Sequence, residues 1–219
     1  LVSDALQSLF AISVTLKLYE AVGDLSCFAG GYGSVDAWLQ QEVDPTLQID
    51  APFSGLVLDF ETDDPVSDAE VSFWSGAEAD LSAPEVSSAT SDSSGNVEGE
   101  LTLCSPYTAK VSTDPALGET KDTYQVLAEG HTAGSASPYY ASWSNATYAV
   151  IPALLGISPD QSKGMLYGMA LDCGGAALEA AQVVIVDGDG SPAEGASIRY
   201  FVEDFPNRHQ DYTSADGLW

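Results

Sequence analysis

GLVLD at residues 55–59 decides the fold, because the chain repeats it as GMALD at residues 168–172. Two further elements follow each copy in the same order. They are VSDAEV at 66–71 with LEAAQV at 178–183, and TSDSSG at 90–95 with TSADG at 213–217. Three ordered matches indicate an internal repeat, which sets the architecture before any single residue is interpreted. Each copy predicts strand, turn, strand, turn and strand.

Residues 51–130 are predicted to form a first β-sandwich module with little helix. Five segments alternate apolar and polar residues, as strands with one buried face do. They are Gly55–Phe60, Ala69–Trp74, Val97–Leu103, Thr108–Ser112 and Tyr124–Leu127. Asp and Pro at residues 61–65 favour a turn, and Gly95 suits a positive φ. Residues 78–88 are polar and are interpreted as a loop.

Residues 131–163 break the alternation and are predicted to be a connector with a short helix. Asn145 is a good N-cap residue, Pro152 limits the helix, and Gly156 is expected to end it. The asparagine therefore predicts where this helix begins.

A second β-sandwich module is predicted over residues 164–219, with strands at 166–172, 181–186 and 197–202. In the first module two strands follow the Gly95 turn, whereas the given sequence ends shortly after the corresponding turn. The second module is therefore expected to be incomplete.

Residues 1–50 form an N-terminal segment with a predicted strand at residues 10–20. Its apolar residues occupy alternate positions, which indicates one buried face. They are Ile12, Val14, Leu16 and Leu18. An incomplete module exposes a sheet edge that invites strand addition, so this strand is a candidate assembly strand.

Three outcomes stay open for the strand at residues 10–20. It belongs to a preceding module, it closes the second module of its own chain, or it closes that of a neighbouring chain and builds a fibre. If it pairs with the second module, changing Val14 and Leu16 to Asp should abolish the pairing by burying unpaired charges.

The chain is strongly acidic, with 33 Asp and Glu residues against 6 Lys and Arg residues and a net charge of -27. Without a basic patch to neutralise phosphates, nucleic acid is excluded as a partner and a bare anionic membrane is disfavoured. No apolar run reaches the length of a transmembrane segment. The acidic residues are dispersed, which favours a solubilising role over a Ca²⁺-binding cluster.

A candidate Ca²⁺ loop is DGDGS at residues 187–191, where Asp187 and Asp189 place oxygen ligands at alternate positions. The later positions hold Pro192 and Ile198 where such a loop needs Gly and Glu. A hairpin turn is therefore the competing interpretation, and Ca²⁺ is the cofactor that the sequence leaves open.

Aromatic side chains offer a candidate platform for stacking on sugars. Its members would be Trp74, Tyr139, Tyr140 and Trp143, with Trp219 as a further candidate. The competing interpretation is that these rings pack in the core or between modules.

No catalytic constellation is present in the sequence. His131 lies in a stretch of Gly, Ser and Ala, and His209 is two residues from Asp211, a spacing more typical of a surface hydrogen bond. Neither an HExxH nor a GxSxG motif occurs. We therefore expect no enzymatic activity.

The three cysteines are Cys27, Cys104 and Cys173. Their spacing matches no zinc pattern, and an odd number allows at most one disulfide. Buried free thiols and a single disulfide both remain open interpretations.

The repeated elements resemble the carboxypeptidase regulatory-like domain, a transthyretin-like β-sandwich, and residues 121–219 also resemble bacterial envelope proteins that carry it. The family pattern is a Gly-x-Val-x-Asp strand, a Pro-Val-x-x-Ala-x-Val strand and a Thr-x-x-Asp-Gly turn. The first copy matches it at Gly55, Val57, Asp59, Pro65, Val66, Ala69 and Val71, with Asp92 and Gly95 close to the turn pattern. The second copy matches it at Gly168, Asp172, Ala181, Val183, Asp216 and Gly217. The resemblance covers residues 51–219 and implies a non-catalytic accessory or adhesion unit.

The predicted fold class is all-β, with tandem transthyretin-like or Ig-like β-sandwich modules and a short helix in the connector. The predicted function is a non-catalytic extracellular or cell-envelope protein with a structural or adhesive role. Its partners would be proteins, or copies of itself, that bind at sheet edges, including by strand donation. The alternative is a carbohydrate- or Ca²⁺-binding accessory module of a larger secreted protein.

Overall fold

The computed structural model describes residues 13–17, 21–23, 49–76, 81–114, 120–127, 137–158, 164–172, 174–187, 191–203 and 205–219. Most of these residues lie in strands or in the turns between them. The strands are β1 (Ser13–Lys17), β2 (Asp50–Asp59), β3 (Glu70–Ser75), β4 (Ser87–Thr90), β5 (Asn96–Thr102), β6 (Tyr107–Ser112), β7 (Thr120–Lys121), β8 (Thr123–Leu127), β9 (Tyr139–Ser144), β10 (Gln182–Val186), β11 (Tyr200–Val202) and β12 (Phe205–Asn207). The helix α1 spans Asn145–Leu154. The chain divides into a central unit, residues 34–149, and an outer unit, residues 1–33 with 150–219.

The central unit is a sandwich of two four-stranded sheets. One sheet has the order β5-β2-β9-β7 and the other the order β4-β3-β6-β8. Phe73 of β3 is fully buried and meets Phe53 of β2 and Tyr140 of β9 edge to face, with ring centroids 5.0 and 5.6 Å apart. Burying such a ring contributes about 1.5–3 kcal/mol, so these contacts hold the two sheets together. The prediction of a β-sandwich with little helix over residues 51–130 is confirmed for the described residues.

Three strands of the central unit lie where the sequence predicted none; they are β4, β7 and β9. β9 falls in the predicted connector, yet it pairs in parallel with β2 and buries Tyr140 and Ser142. The predicted connector is therefore wrong over this strand. β4 begins in the predicted polar loop of residues 78–88 and extends two residues beyond it. It was not predicted because its residues SSAT carry no apolar alternation and its pairing with β3 relies on backbone hydrogen bonds.

The cap of the helix lies one residue earlier than predicted, and the helix begins at Asn145. Ser144, not Asn145, caps it, because the Ser144 hydroxyl accepts a hydrogen bond from the Thr147 N–H at 3.0 Å. Gly156 has a φ of 71° and its N–H donates to the Ala153 carbonyl, which ends the helix as predicted.

The outer unit contains two short antiparallel pairs, β1 with β10 and β11 with β12. Its buried cluster consists of Ala170, Leu178 and Ala181, with Ala21 packed against it. The strand predicted at residues 166–172 forms only isolated bridges, at Met169 and Leu171.

Candidate assembly site

A buried hydroxyl joins two backbone segments in the central unit. The Ser91 side chain donates to the Val66 carbonyl at 2.7 Å and accepts from the Ala69 N–H at 2.9 Å. The Ser91 backbone also bonds the Ala69 carbonyl at 2.8 Å and the Asp68 N–H at 3.1 Å. We call this arrangement the hydroxyl bridge.

The outer unit contains a hydroxyl bridge made by Thr213, which is fully buried. Its side chain donates to the Leu178 carbonyl and accepts from the Ala181 N–H at 2.9 Å. Its backbone bonds the Ala181 carbonyl at 2.9 Å and the Ala180 N–H at 2.8 Å. The residue that corresponds to Thr213 is therefore Ser91, whereas the sequence comparison had paired the threonines at the start of the two motifs.

The two predicted turn glycines make the same backbone contacts. Gly95 has a φ of 77° and accepts from the Val57 N–H at 2.8 Å, and Gly217 has a φ of 69° and accepts from the Ala170 N–H at 2.9 Å. A Cβ on either glycine would lie 2.6 Å from a carbonyl oxygen, that of Val57 or of Ala170. Each of these hydrogen bonds around the motifs of the central unit therefore has a counterpart, with the same donor and acceptor groups, in the outer unit.

One edge of β10 is occupied by the segment that follows it. The Val183 N–H donates to the Tyr200 hydroxyl at 2.9 Å, and the Ile185 carbonyl accepts from the Ala193 N–H at 2.9 Å. Burial raises the pKa of Tyr200, the Val183 hydrogen bond lowers it, and Asp211 raises it, with a net upward shift. The tyrosine thus stays neutral at physiological pH and serves as an acceptor for the strand.

β1 occupies the opposite edge of β10. Successive residues of a strand direct their backbone groups to opposite edges, so the residues facing β1 alternate with Val183 and Ile185. They are Gln182, Val184 and Val186, which lie opposite Lys17, Thr15 and Ser13. The Thr15 and Val184 backbones therefore form a hydrogen-bonded pair.

The corresponding edge of β3 belongs to β6. The Ala69 and Phe73 carbonyls accept from the Ser91 and Val86 N–H groups on the β4 side. The alternating residues therefore face β6, with which they pair; they are Glu70, Ser72 and Trp74. Ala181 and Ala69 make the same bonds to the hydroxyl bridges of their units, so Ala181 corresponds to Ala69. The edge of β10 that faces β1 therefore corresponds to the edge of β3 that faces β6. β1 pairs with β10 where β6 pairs with β3.

The structure places the residues predicted for the assembly strand only in part. Val14 and Leu16 lie opposite Ile185 and Val183 in the register. Ile12 and Leu18 lie outside the described residues. Tyr200 carried no signal in the sequence, since a tyrosine within a predicted strand does not reveal which group its hydroxyl will bond.

The predicted sugar platform is not assembled. Tyr140 is fully buried with its hydroxyl 3.2 Å from that of Tyr107, and Trp143 is 9% exposed and stacks on Phe60. Trp74 is half-buried and donates to a backbone carbonyl, and of the four only Tyr139 is exposed. Tyr140 packs in the core because alternate positions of this inner strand face the opposite sheet.

The remaining predicted site residues do not converge. The Asp187 carboxylate accepts from the Ser191 N–H at 3.1 Å within a turn, and Asp189 and His131 lie outside the described residues. His209 is exposed on a turn, where its N–H bonds the Asn207 side chain. In the described part of the chain no three His, Cys, Asp or Glu residues are grouped to hold a metal ion.

Cys104 is a partly exposed free thiol. Cys27 and Cys173 lie outside the described residues, and their pairing stays a prediction. No helix within the described ranges is long and apolar enough to cross a membrane.

Solved structures similar to this chain include the Bacillus anthracis TIE protein and the shaft pilin SpaA of Lactobacillus rhamnosus GG. The TIE protein is 14% identical and is matched over 44% of this chain, which spans 17% of that protein's length, with a TM-score of 0.33. A mutant of the pilin is 11% identical over 78% of this chain and 80% of its own, with a TM-score of 0.31. TM-scores below 0.5 carry no argument about function, so the assignment of the fold rests on the strand pairings described above. No family model matches the chain, and no curated protein matches it in sequence.

Proposed function

We propose that the chain is a non-catalytic structural protein of the cell envelope or extracellular space, built from two copies of one β-sandwich module and assembling by strand donation. The pairing of β1 with β10 at the edge that corresponds to that of β6 carries this proposal. The two hydroxyl bridges and the two turn glycines support the proposal that the two units are copies of one module. The strong net negative charge suits a protein that stays soluble outside the cell.

The position of β1 in the sequence is what suits it for donation. β6 follows β5 closely along the chain, whereas β1 and β10 are separated by the whole central unit. A strand that is distant in sequence can leave its edge and be replaced by the same strand of a second copy without breaking the connections around it. Donation from one copy to the next is head-to-tail and need not close, so successive donations build a linear assembly.

The contacts of β10 make its edge a specific acceptor. With one edge bound to Tyr200 and Ala193, β10 has only the edge of Gln182, Val184 and Val186 to offer. When β1 leaves, those backbone groups lose their strand partners, at about 0.5–1.5 kcal/mol net for each hydrogen bond. A donated strand of the same sequence restores them, which favours re-pairing over an empty edge.

A pair of proline substitutions in the full chain tests strand donation. Thr15→Pro removes the N–H that bonds Val184, whereas Val14→Pro removes an N–H directed to the outer edge of β1 and serves as the matched control. We expect the Thr15→Pro chain to bind a labelled peptide of residues 10–20 at one site per chain. The parent chain and the control should bind it weakly, because their own β1 fills the edge.

A second peptide, with Val14→Asp and Leu16→Asp, should not bind the Thr15→Pro chain. Sedimentation at increasing concentration should show linear oligomers of the parent chain that Thr15→Pro abolishes. Equal binding of both peptides, or oligomers that persist in Thr15→Pro, would contradict donation through β1.

A further inference from the structure

The first and last described strands of the central unit lie side by side and run in the same direction. β2 is the first of them, and β9 is the last, followed at once by α1, along which the chain passes into the outer unit. β2 and β9 are parallel, whereas the other described strand pairs are antiparallel. The direction of this one pair decides how the central unit responds to tension on the chain.

Parallel pairing puts the entry and the exit of the chain at opposite ends of the sheet. The ends of β2, Asp50 and Asp59, lie about 30 Å apart at about 3.3 Å per residue, and Ser142 of β9 lies opposite Asp59. Tension on the chain therefore draws β2 and β9 along their axes in opposite directions. All the hydrogen bonds between the two strands then resist together, whereas a pull across the strands breaks them one after another.

The hydrogen bonds between β2 and β9 form a continuous ladder. The Leu56 N–H donates to the Pro138 carbonyl at 3.0 Å, and the Phe60 N–H donates to the Ser142 carbonyl at 2.9 Å. Leu58 lies between them and faces β9 as they do, because alternate residues of a strand direct their backbone groups to the same edge. Parallel ladders space their bonds evenly, so about five bonds share the tension.

The ladder is shielded from water on its inner side. Val57, Tyr140 and Ser142 are fully buried there. At the end of the ladder Phe60 stacks on Trp143, with ring centroids 4.3 Å apart. Because water is excluded from this layer, it does not replace a hydrogen bond as the strands begin to slide. The bonds of the ladder therefore persist until they break together.

Further contacts hold β2 and the exit of the chain against the same pull. The first half of β2 pairs with β5, and the Ile49 carbonyl just before it accepts from the Leu103 N–H at 3.0 Å. At the exit, the Thr147 hydroxyl of α1 donates to the Glu61 carboxylate at 2.8 Å. This hydrogen bond ties the start of α1 to the turn that follows β2.

We infer that the central unit is a mechanical element that transmits tension between neighbouring copies of the chain through the shear of β2 against β9. It rests on the proposed strand donation, because a chain bound through its β1 to one copy and through its β10 to another bears tension along the segment between them. Parallel pairing is slightly less stable per residue than antiparallel pairing. Forced unfolding, however, is governed by the rate of unfolding, which depends on the bonds that break first.

Single-molecule pulling of the full chain in two directions tests this role. Handles at Ile49 and Asn145, which are both exposed, pull β2 and β9 along their axes. Handles at Asp64 and Asn145 pull at the same end of both strands and peel them apart, since the Asp64 carbonyl bonds the Asp59 N–H. Azide-bearing residues at these positions attach the handles without using the cysteines.

We expect an unfolding force at least about twofold higher with the handles at Ile49 and Asn145, because about five bonds then resist at once. Unfolding of the central unit is recognised by about 250–350 Å of added length. Both measurements use the same native contacts, so their comparison isolates the direction of the pull.

Two variants separate mechanical strength from stability at equilibrium. Leu58→Pro removes one bond of the ladder and should lower the axial unfolding force by about a fifth or more, whereas the matched control Leu58→Ala keeps the N–H. Ser91→Ala breaks the hydroxyl bridge and destabilises the central unit, but it lies outside the ladder. It should therefore leave the axial force within about a tenth of the parent value.

Equal unfolding forces in the two directions would overturn the inference even if Leu58→Pro does not fold. An axial force that falls as much with Ser91→Ala as with Leu58→Pro would also overturn it. Either result leaves strand donation intact, because donation is read from peptide binding at β10. Oligomers that persist in the Thr15→Pro chain would remove donation, and with it the tension on the central unit, so they would overturn both.

Discussion

The hydroxyl bridge gives the sharpest prediction about stability. Thr213→Val keeps the size and shape of the buried side chain but removes the hydroxyl that bonds the Leu178 carbonyl and the Ala181 N–H. Two hydrogen bonds are lost, at about 1 kcal/mol net each, and two buried backbone groups lose a partner. We expect the outer unit to lose about 2–4 kcal/mol of its free energy of unfolding.

The matched control is Thr213→Ser, which keeps the hydroxyl and removes one methyl group, at a cost of about 1 kcal/mol. Ser91→Ala should destabilise the central unit in the same way, whereas Ser91→Thr, which copies the outer unit, should cost less. Equilibrium urea unfolding, followed through amide resonances of each unit, measures these differences. Equal losses for Thr213→Val and Thr213→Ser would contradict this prediction, because the hydroxyl would then contribute nothing to stability.

Three further predictions concern backbone strain and the buried tyrosine pair. Gly95→Ala and Gly217→Ala should each cost about 2–3 kcal/mol in urea unfolding, because φ is positive and the new Cβ lies 2.6 Å from a carbonyl oxygen; losses below about 1 kcal/mol would contradict this. Tyr107→Phe should destabilise the central unit by about 1–2 kcal/mol by leaving the Tyr140 hydroxyl unpaired, and the double variant with Tyr140→Phe should cost less than the sum of the single variants. Burial raises the pKa of both tyrosines above 10.0, so the stability they contribute is fully present below about pH 10 and falls as the pH rises, by about 1.4 kcal/mol per pH unit for each tyrosine. Tyrosinate absorbance that appears only on unfolding checks this, and ionisation in the folded chain near pH 10 would contradict it.

Much of the central unit could be predicted from the sequence because its strands alternate. The buried apolar residues of β2, β3, β5 and β6 occupy alternate positions, and that period is visible in the sequence. β4 was missed because an edge strand of small polar residues has no such period. β9 was missed because the segment that carries it looked like a connector, and the residues that it covers on β2 are distant in sequence.

The candidate site was predictable only in outline. The strand near residues 10–20 and the repeated motifs were visible, and from them followed a possible pairing with the second module. The edge of β10 that β1 takes could not be predicted, because it depends on the hydrogen bond from Val183 to Tyr200. For a related reason, the sequence did not show which rings of the predicted sugar platform are exposed. The exposure of an aromatic ring depends on how the sheets pack and not on the residue type.

Amide exchange across β10 measures whether β1 closes the outer unit at the edge that corresponds to the β6 edge of β3. The Val184 N–H faces β1, whereas the Val183 N–H faces Tyr200. In the Thr15→Pro chain, exchange at Val184 should accelerate at least about tenfold relative to the Val14→Pro control, with Val183 little changed. Protection of Val184 that is the same in both variants would show that β1 does not hold this edge and would contradict the account.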